Sequence, residues 1–147
     1  MGKTLGGALM DTSKEYILQC EKAVEIQKLH KMNTGDCYYQ TKDDSDYCEG
    51  AFTCWNGLRP NAGYHDYDSW WYFPDDCIWL PKQDQLQEMV KTEKYGCDKN
   101  FWLLEDFMRW RNKYAEDNAS MEQLWLAFVM KEKYSKTWNG TDWEVLT

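Results

Sequence analysis

Four cysteines and one histidine in the middle of the chain have the chemistry of zinc ligands: Cys37, Cys48, Cys54, Cys77 and His65. Thiolate sulfur and imidazole nitrogen both bind zinc, and a loop-rich segment would be stabilised by such a metal. The cysteines are separated by ten, five and 22 intervening residues, without the C-x-x-C pair that structural zinc sites usually contain. Buried, reduced thiols are therefore the favoured interpretation, zinc is the alternative, and no cofactor is predicted.

An acidic run, DDSDYCEG from Asp43 to Gly50, offers carboxylates to a hard cation. A calcium-binding EF-hand loop requires glycine at its sixth position and glutamate at its twelfth. Counted from Asp44, those positions hold Glu49 and Trp55. The run is therefore interpreted as a solvated acidic loop and not as a calcium site.

His65 is the candidate general base, because Asp66 follows it and nearby carboxylates can support an imidazole in that role. Ser69 lies close by, but the chain has neither a G-x-S-x-G motif nor a papain-like context around a cysteine. GKTLGG near the start lacks the G-x-x-x-x-G-K-[ST] spacing of a phosphate-binding loop. No catalytic residue is assigned, and a protein that binds without catalysing a reaction is the expectation.

The stretch WWYFPDDCIW, residues 70–79, combines aromatic and acidic side chains. Trp70, Trp71, Tyr72 and Trp79 could stack against a nucleobase or another planar ligand, since aromatic rings bind such ligands face to face. In a strand, alternate side chains face the core. A core role is therefore favoured, with a protein interface and a ligand platform as alternatives.

Residues 36–79 form an acidic, aromatic-rich insert. It holds nine acidic residues against Lys42 and Arg59, a net charge of −7 out of −8 for the chain, and twelve of the 24 aromatic residues. Disordered acidic tracts have few aromatic residues, so the insert is predicted to fold. A surface of this charge repels phosphate and attracts a basic protein surface. Direct binding to nucleic acid is therefore not expected.

The chain shows no secretory leader and no apolar run of about 18 residues that would span a membrane. Six cysteines without a leader are typical of thiols kept reduced in a cytoplasm. Translation is expected to begin at Met1 or Met10. Residues 1–11 are predicted to be a flexible tail and residues 12–147 a single globular domain.

Helical periodicity predicts four helices that would position these groups. The first extends from Thr12 to about Lys31, starting with the capping box TSKE and ending before Gly35, the predicted left-handed residue. A second follows Pro81, and a third follows Asp98.

The third helix is predicted to bury a face that includes Phe101, Leu104, Phe107 and Met108. The fourth follows Ser120, which stands at capping-box spacing from Gln123.

Short strands are predicted at CYYQ (37–40), SWWYF (69–73) and CIWL (77–80), and Asn139-Gly140 predicts a terminal hairpin with Trp138 and Trp143 on its arms. The predicted fold class is mostly helical α+β, with about four helices, a small antiparallel sheet built from the central insert, and a C-terminal hairpin.

Three segments, GDCYYQ, IWLPKQDQLQEMV and SMEQLWLAFVMKEKYSKTWNGTDW, resemble a family of small proteins encoded by phages and prophages of Firmicutes. The resemblance extends over about residues 24–143 and is weakest over residues 43–68. It implies a bacterial cytoplasm and a mobile genetic element. The family carries no established activity, so the resemblance assigns no catalytic role to any residue.

The leading hypothesis is a non-enzymatic phage or prophage accessory protein that binds the basic surface of a host or phage protein, for example an anti-defence inhibitor of the anti-CRISPR kind. Carboxylates on one face could imitate the phosphates of a nucleic acid, with tyrosines as desolvated anchors. The residues predicted to contact the partner are Asp43, Asp44, Asp46, Glu49, Asp66, Asp68, Tyr47, Tyr64 and Tyr67. The alternatives are a small-molecule or nucleotide-binding protein that uses an aromatic pocket, and a structural or assembly protein of the phage.

Overall fold

The computed structural model describes residues 10–31, 33, 35–41, 50–53, 77–91, 99–114 and 119–147. The helices are α1 (Lys14–Lys22), α2 (Val24–Leu29), α3 (Gln83–Val90), α4 (Lys99–Tyr114) and α5 (Met121–Tyr134). The strands are β1 (Cys37–Gln40), β2 (Gly50–Thr53), β3 (Cys77–Leu80), β4 (Lys136–Trp138) and β5 (Trp143–Val145). The predicted mostly helical α+β class is confirmed.

The segment predicted as one helix from Thr12 to about Lys31 is two helices, α1 and α2, because the chain bends at Ala23. The φ and ψ angles of Ala23 are −82° and 65°, and its N–H is shared between the carbonyls of Gln19 and Cys20. The cap of α1 also differs from the prediction. Ser13, and not Thr12, accepts a hydrogen bond from the first turn, at 3.2 Å.

Helix α2 holds Gln27 against the outer edge of the sheet. Its Nε2 donates to the Trp79 carbonyl at 2.8 Å, and its Oε1 accepts from the Trp79 N–H at 3.0 Å. The side-chain amide therefore pairs with β3 in the position where another strand would lie, which protects an edge that would otherwise present unpaired backbone groups.

The three-stranded sheet is antiparallel in the order β2-β1-β3. Strands β1 and β3 are the predicted CYYQ and CIWL, whereas β2 was not predicted and SWWYF lies outside the described residues. Cys37 lies opposite Leu80, and Gln40 lies opposite Cys77. Since successive side chains of a strand point to opposite faces, Cys37 and Gln40 face opposite sides of the sheet.

Helix α5 is the centre of the core. Six of its side chains are buried: Leu124, Trp125, Leu126, Phe128, Val129 and Met130. The helix packs against α1, α3, α4 and β4. The predicted cap is confirmed, because the Ser120 hydroxyl accepts from the Gln123 N–H at 3.1 Å.

Helix α4 packs on α5 through a face that shares only Phe107 with the four apolar residues predicted to be buried. Leu103 and Phe107 are buried, whereas Phe101, Leu104 and Met108 are exposed. The Phe107 ring stacks on the Trp125 ring, with centroids 3.8 Å apart and planes within 5°. This stack sets the rotation of α4 about its axis.

The predicted terminal hairpin is confirmed, with Trp138 of β4 opposite Trp143 of β5. Its loop has four residues, because the Asn139 side chain organises the turn: Oδ1 accepts from the N–H groups of Thr141 and Asp142, each at 2.8 Å. Gly140 has a φ of +105°, which glycine adopts without strain. Among the described residues, no helix has both the length and the apolar character needed to cross a bilayer.

Candidate functional site

A cleft of about 660 Å³ lies between α1, α5 and the β4–β5 hairpin. Two indoles line it, Trp110 of α4 and Trp138 of β4, and we call it the indole cleft. Small-molecule sites usually have volumes of roughly 300–1,000 Å³ and a mostly apolar lining with a few polar groups. The indole cleft has both properties.

One face of α5 forms a wall of the cleft, and its alanine leaves space there. Gln123, Leu124, Ala127 and Lys131 line it at the spacing of one helix face. At 1.5 Å per residue, the distance from Gln123 to Lys131 along the axis is about 12 Å. Ala127 lies between them, and Ala119 lines the cleft ahead of the helix. A longer side chain at Ala127 would project into this space.

Both indoles are held by contacts with neighbouring side chains. Trp138 donates from Nε1 to Glu15 Oε1 at 2.8 Å, and its ring lies 5.0 Å from that of Trp143. Trp110 packs against Phe107 and Phe128, with centroids 6.0 and 5.6 Å away. Each ring is partly buried, so part of its surface remains available to a planar ligand.

Gln19 is a lining residue whose amide oxygen is buried behind the cleft. The residue is 6% exposed, and its Oε1 has no hydrogen-bond partner among the described residues. Its backbone is fixed, because the Gln19 carbonyl accepts from Trp143 Nε1 at 2.9 Å. An unsatisfied buried polar group costs about 1–3 kcal/mol.

Two ammonium groups line the cleft. Lys131 pairs with Glu132 at 3.0 Å, and Lys136 pairs with Glu25. Burial would raise the pKa of Glu25, but the hydrogen bond and charge of Lys136 lower it below its ordinary value of 4.5. Together with Glu15, the lining carries two positive charges and one negative charge.

A carboxylate braces the helix N-termini beside the cleft. Asp11 accepts from the Ser13 N–H at 2.8 Å, from the Ser120 hydroxyl at 2.5 Å and from the Gln123 amide at 2.9 Å. Burial would raise the pKa of Asp11, but these hydrogen bonds lower it below its ordinary value of 3.8. The network ties the start of α1 to the start of α5, which fixes the two helices that form the cleft.

His30 and Asp36 form a second polar constellation. The Asp36 carboxylate is 2% exposed and lies 2.6 Å from His30 Nε2, and it also accepts from the Asn33 N–H and the Gln85 amide at 2.7 Å each. The imidazole stacks on the Trp79 ring, with centroids 3.4 Å apart. A carboxylate that orients a histidine is one component of hydrolase sites. Among the described residues, however, the imidazole is hydrogen-bonded to Asp36 alone, and the pair serves to join α2, β1 and α3.

The described thiols have the properties of core groups. Burial raises the pKa of Cys20 well above its ordinary value and raises that of Cys37 as well. A thiol of raised pKa stays protonated near neutral pH and is a poor nucleophile.

The predicted partner-binding residues lie outside the described residues: Asp43, Asp44, Asp46, Glu49, Asp66, Asp68, Tyr47, Tyr64 and Tyr67. The same holds for Trp70, Trp71 and Tyr72 of the predicted ligand platform, and for Cys48, Cys54 and His65 of the alternative zinc site.

The remaining members of the two alternative sites are described. Cys37 and Cys77 lie on neighbouring strands, at opposite ends of the pairing and on opposite faces, so the sheet does not bring these two thiols together. In the described part of the chain, no group of three or more histidine, cysteine or acidic side chains could hold a metal. Trp79 is 2% exposed beneath His30, which is a core position and not an open platform.

The cleft residues were not predicted as a site. Trp138 was predicted only as a hairpin arm, and Gln19, Trp110 and Lys136 were assigned no function. A helical periodicity identifies faces but not which faces meet, and no short motif joins these positions.

Comparison of the chain with protein-family models, curated proteins and solved structures finds no match.

Proposed function

We propose that the protein is a non-enzymatic binding protein that takes a small planar ligand in the indole cleft. One observation carries the proposal: two indoles that are held in place by neighbouring side chains line a cleft of ligand size. An aromatic pocket for a small molecule was one of the alternatives drawn from the sequence. The proposal places that pocket at Trp110 and Trp138 and not at residues 70–79.

Thermal-shift screening of the purified full chain tests the proposal. The panel contains nucleotides, nucleosides and neutral aromatic compounds such as indole, and a compound that binds the folded state raises the melting temperature. Hits are then titrated against tryptophan fluorescence, since two indoles line the cleft. We expect at least one compound to bind with saturable quenching.

Substitution of one residue locates the site. Ala127→Phe adds a ring inside the cleft at a helical position and should abolish binding of every hit. Met121→Phe is the matched control, because Met121 is exposed on the same helix and does not line the cleft. Binding that survives Ala127→Phe, or a panel without any hit, would refute the proposal.

We also propose, from the sequence, that residues 36–79 bind a basic surface of a host or phage protein in a bacterial cytoplasm. The support is the net charge of −7 and the resemblance to phage proteins. Binding between such charged surfaces weakens steeply with salt. A pull-down from a lysogenic host at low and high salt tests it, and a partner retained equally at both would contradict it.

A further inference from the structure

We infer that the planar group bound in the indole cleft is an aromatic side chain of an extended peptide, an inference that rests on the proposed function. The peptide is a segment of a partner protein, and it adds an antiparallel strand to the outer edge of β4. Two features of the molecule support this pairing: the direction of the backbone groups of β4 and the position of the cleft beside them.

The hydrogen bonds of the hairpin show which backbone groups of β4 point outward. The Asn139 N–H donates to the Asp142 carbonyl at 3.0 Å, across the end of the hairpin. In an antiparallel pair, residues bonded in this way alternate with residues whose N–H and C=O groups point away from the partner strand. Trp138 precedes Asn139, and Lys136 lies two positions before Trp138. The backbone groups of Lys136 and Trp138 therefore point away from β5.

These groups form an open strand edge. In the described part of the chain, no hydrogen bond reaches the N–H or C=O group of Lys136 or Trp138. By contrast, the outer edge of β3 is covered by the Gln27 amide. The two residues lie about 6.6 Å apart along β4, and they offer two donors and two acceptors at that spacing. An extended backbone has the same spacing, so an edge of this kind binds another strand.

The indole cleft lies beside this edge. All three residues of β4 line the cleft, together with one face of α5. Residues directly opposite each other in a sheet have their side chains on the same face. The peptide side chain opposite Trp138 is therefore placed on the same side as the Trp138 indole. An aromatic side chain at that position packs against the indole.

The charges that line the cleft favour an uncharged peptide side chain. Lys131 pairs with Glu132 at 3.0 Å. Lys136 pairs with Glu25, and Glu15 accepts a hydrogen bond from an indole of the cleft at 2.8 Å. A charged side chain would lose hydration in the cleft without meeting an unpaired opposite charge, which is unfavourable.

A second copy of this chain matches the edge less well than a peptide. The cleft beside β4 has α5 as its other wall. In a second copy the same edge would be flanked by that copy's own α5, and the helices would meet before the two strands could pair. A single extended segment meets no such obstacle.

Calorimetric titration of the full chain with synthetic peptides tests the inference. The probe is the acetylated and amidated pentapeptide Thr-Phe-Thr-Trp-Thr, whose two rings lie on one face when the backbone is extended. The peptide Thr-Thr-Phe-Trp-Thr has the same composition but places its rings on opposite faces. We expect the first peptide to bind about tenfold or more tightly than the second, because only one ring of the second can enter the cleft. Equal affinities would overturn the inference.

Methylation of peptide nitrogens separates backbone pairing from side-chain binding. The peptide residues opposite Lys136 and Trp138 have their rings toward the cleft and their N–H groups toward β4. Methylating the nitrogens of both aromatic residues should weaken binding by about tenfold or more, since two hydrogen bonds are lost. The matched control is methylation of the central threonine, whose N–H points away from β4, and it should change binding by less than about threefold. Equal effects of the two methylations would overturn the strand pairing.

The outcomes distinguish the inference from the proposed function. If indole binding depends on Ala127 but no peptide binds more tightly than indole, the cleft is a ligand site and the peptide assignment is wrong. If neither indole nor a peptide binds in an Ala127-dependent manner, both are wrong. Light scattering examines the remaining occupant: a dimer that Ala127→Phe converts to a monomer would assign the edge to a second copy and overturn the inference.

Discussion

Replacing Asp36 with alanine should be among the most destabilising single changes outside the apolar core. The carboxylate is 2% exposed and accepts three hydrogen bonds, from His30 Nε2, the Asn33 N–H and the Gln85 amide, at 2.6–2.7 Å. The substitution removes all three bonds and leaves the partly buried donors of His30 and Gln85 without this acceptor. Breaking a buried charged network by removing one member costs about 3–5 kcal/mol, which we expect for Asp36→Ala.

Asp36→Asn gives a graded comparison, because the amide keeps one acceptor oxygen. We expect a loss of about 1–3 kcal/mol, since the amide oxygen can replace Oδ2, which accepts from His30 and Asn33, while the N–H group then faces the Gln85 amide. Asp84→Ala on α3 is the matched control: Asp84 is exposed in the first helical turn, so only its favourable interaction with the helix dipole is lost, about 0.3–1 kcal/mol.

Urea unfolding followed by tryptophan fluorescence and far-ultraviolet circular dichroism measures these differences. The midpoint should fall in the order Asp84→Ala, Asp36→Asn, Asp36→Ala, with an unchanged slope. A double-mutant cycle with His30→Ala should give a coupling of about 0.5–3 kcal/mol. If Asp36→Ala unfolds at the same urea concentration as Asp84→Ala, the carboxylate does not join the three elements and the reasoning fails.

Three further changes have expected outcomes set by individual contacts. Asp11 and Glu25 have lowered pKa values in the folded protein. The stability that they contribute is therefore present above their ordinary pKa values of 3.8 and 4.5 and is lost as the pH falls through the lower folded values. The urea midpoint should drop in this pH range, and an equal drop in the Asp11→Asn variant would contradict the role of Asp11. Tyr16→Phe removes a buried hydroxyl that donates to the Pro81 carbonyl at 2.5 Å. This substitution should lower the free energy of unfolding, measured by urea titration, by about 1–3 kcal/mol. A loss below about 0.5 kcal/mol would show that the hydrogen bond contributes little. In Gly140→Ala the added methyl group would meet no atom within 4 Å, but the residue would keep a φ of +105°. The substitution should therefore cost about 1–2 kcal/mol of stability in thermal unfolding. An unchanged melting temperature would mean that the loop relaxes.

Much of the fold follows from local signals in the sequence. The capping serine before α5, the strands CYYQ and CIWL and the Asn-Gly hairpin were all predicted because each depends on residues within a few positions of one another. Strand β2, Gly50–Thr53, was missed because it is short and begins with Gly and Ala, which are depleted in strands, so that only Phe52 and Thr53 favour one. Pairing with β1 is what makes them a strand.

The bend at Ala23 shows a limit of a different kind. Alanine is the best helix former, so propensity favours one continuous helix. The bend coincides with long-range contacts: Gln27 binds both the backbone of Trp79, 52 positions away, and the Cys20 carbonyl in the preceding turn. A window of neighbouring residues contains no information about the partner at Trp79.

The candidate site could not be predicted for a related reason. Gln19 lies on α1 between apolar neighbours and reads as an ordinary helical residue. Trp110 was missed because the predicted buried face of α4 follows Phe101, Leu104 and Met108. The observed face instead follows Leu103, Phe107 and Trp110. The sequence predicts an aromatic pocket as one alternative, but its abundance of aromatic residues directs attention to residues 70–79.

A substitution at Ala127 distinguishes two explanations for the cleft: that it is a packing defect and that it is a ligand site. Each buried methylene group contributes about 0.8 kcal/mol, and substitutions that fill cavities commonly stabilise a protein. The open volume of about 660 Å³ beside the central helix leaves room for a larger apolar side chain at position 127. If the cleft is only a packing defect, Ala127→Leu should raise the melting temperature, and no compound should raise that of the unsubstituted protein. If it is the ligand site, the same substitution should raise the melting temperature of the free protein and abolish the further rise that the ligand produces, because the leucine fills the space that the ligand occupies.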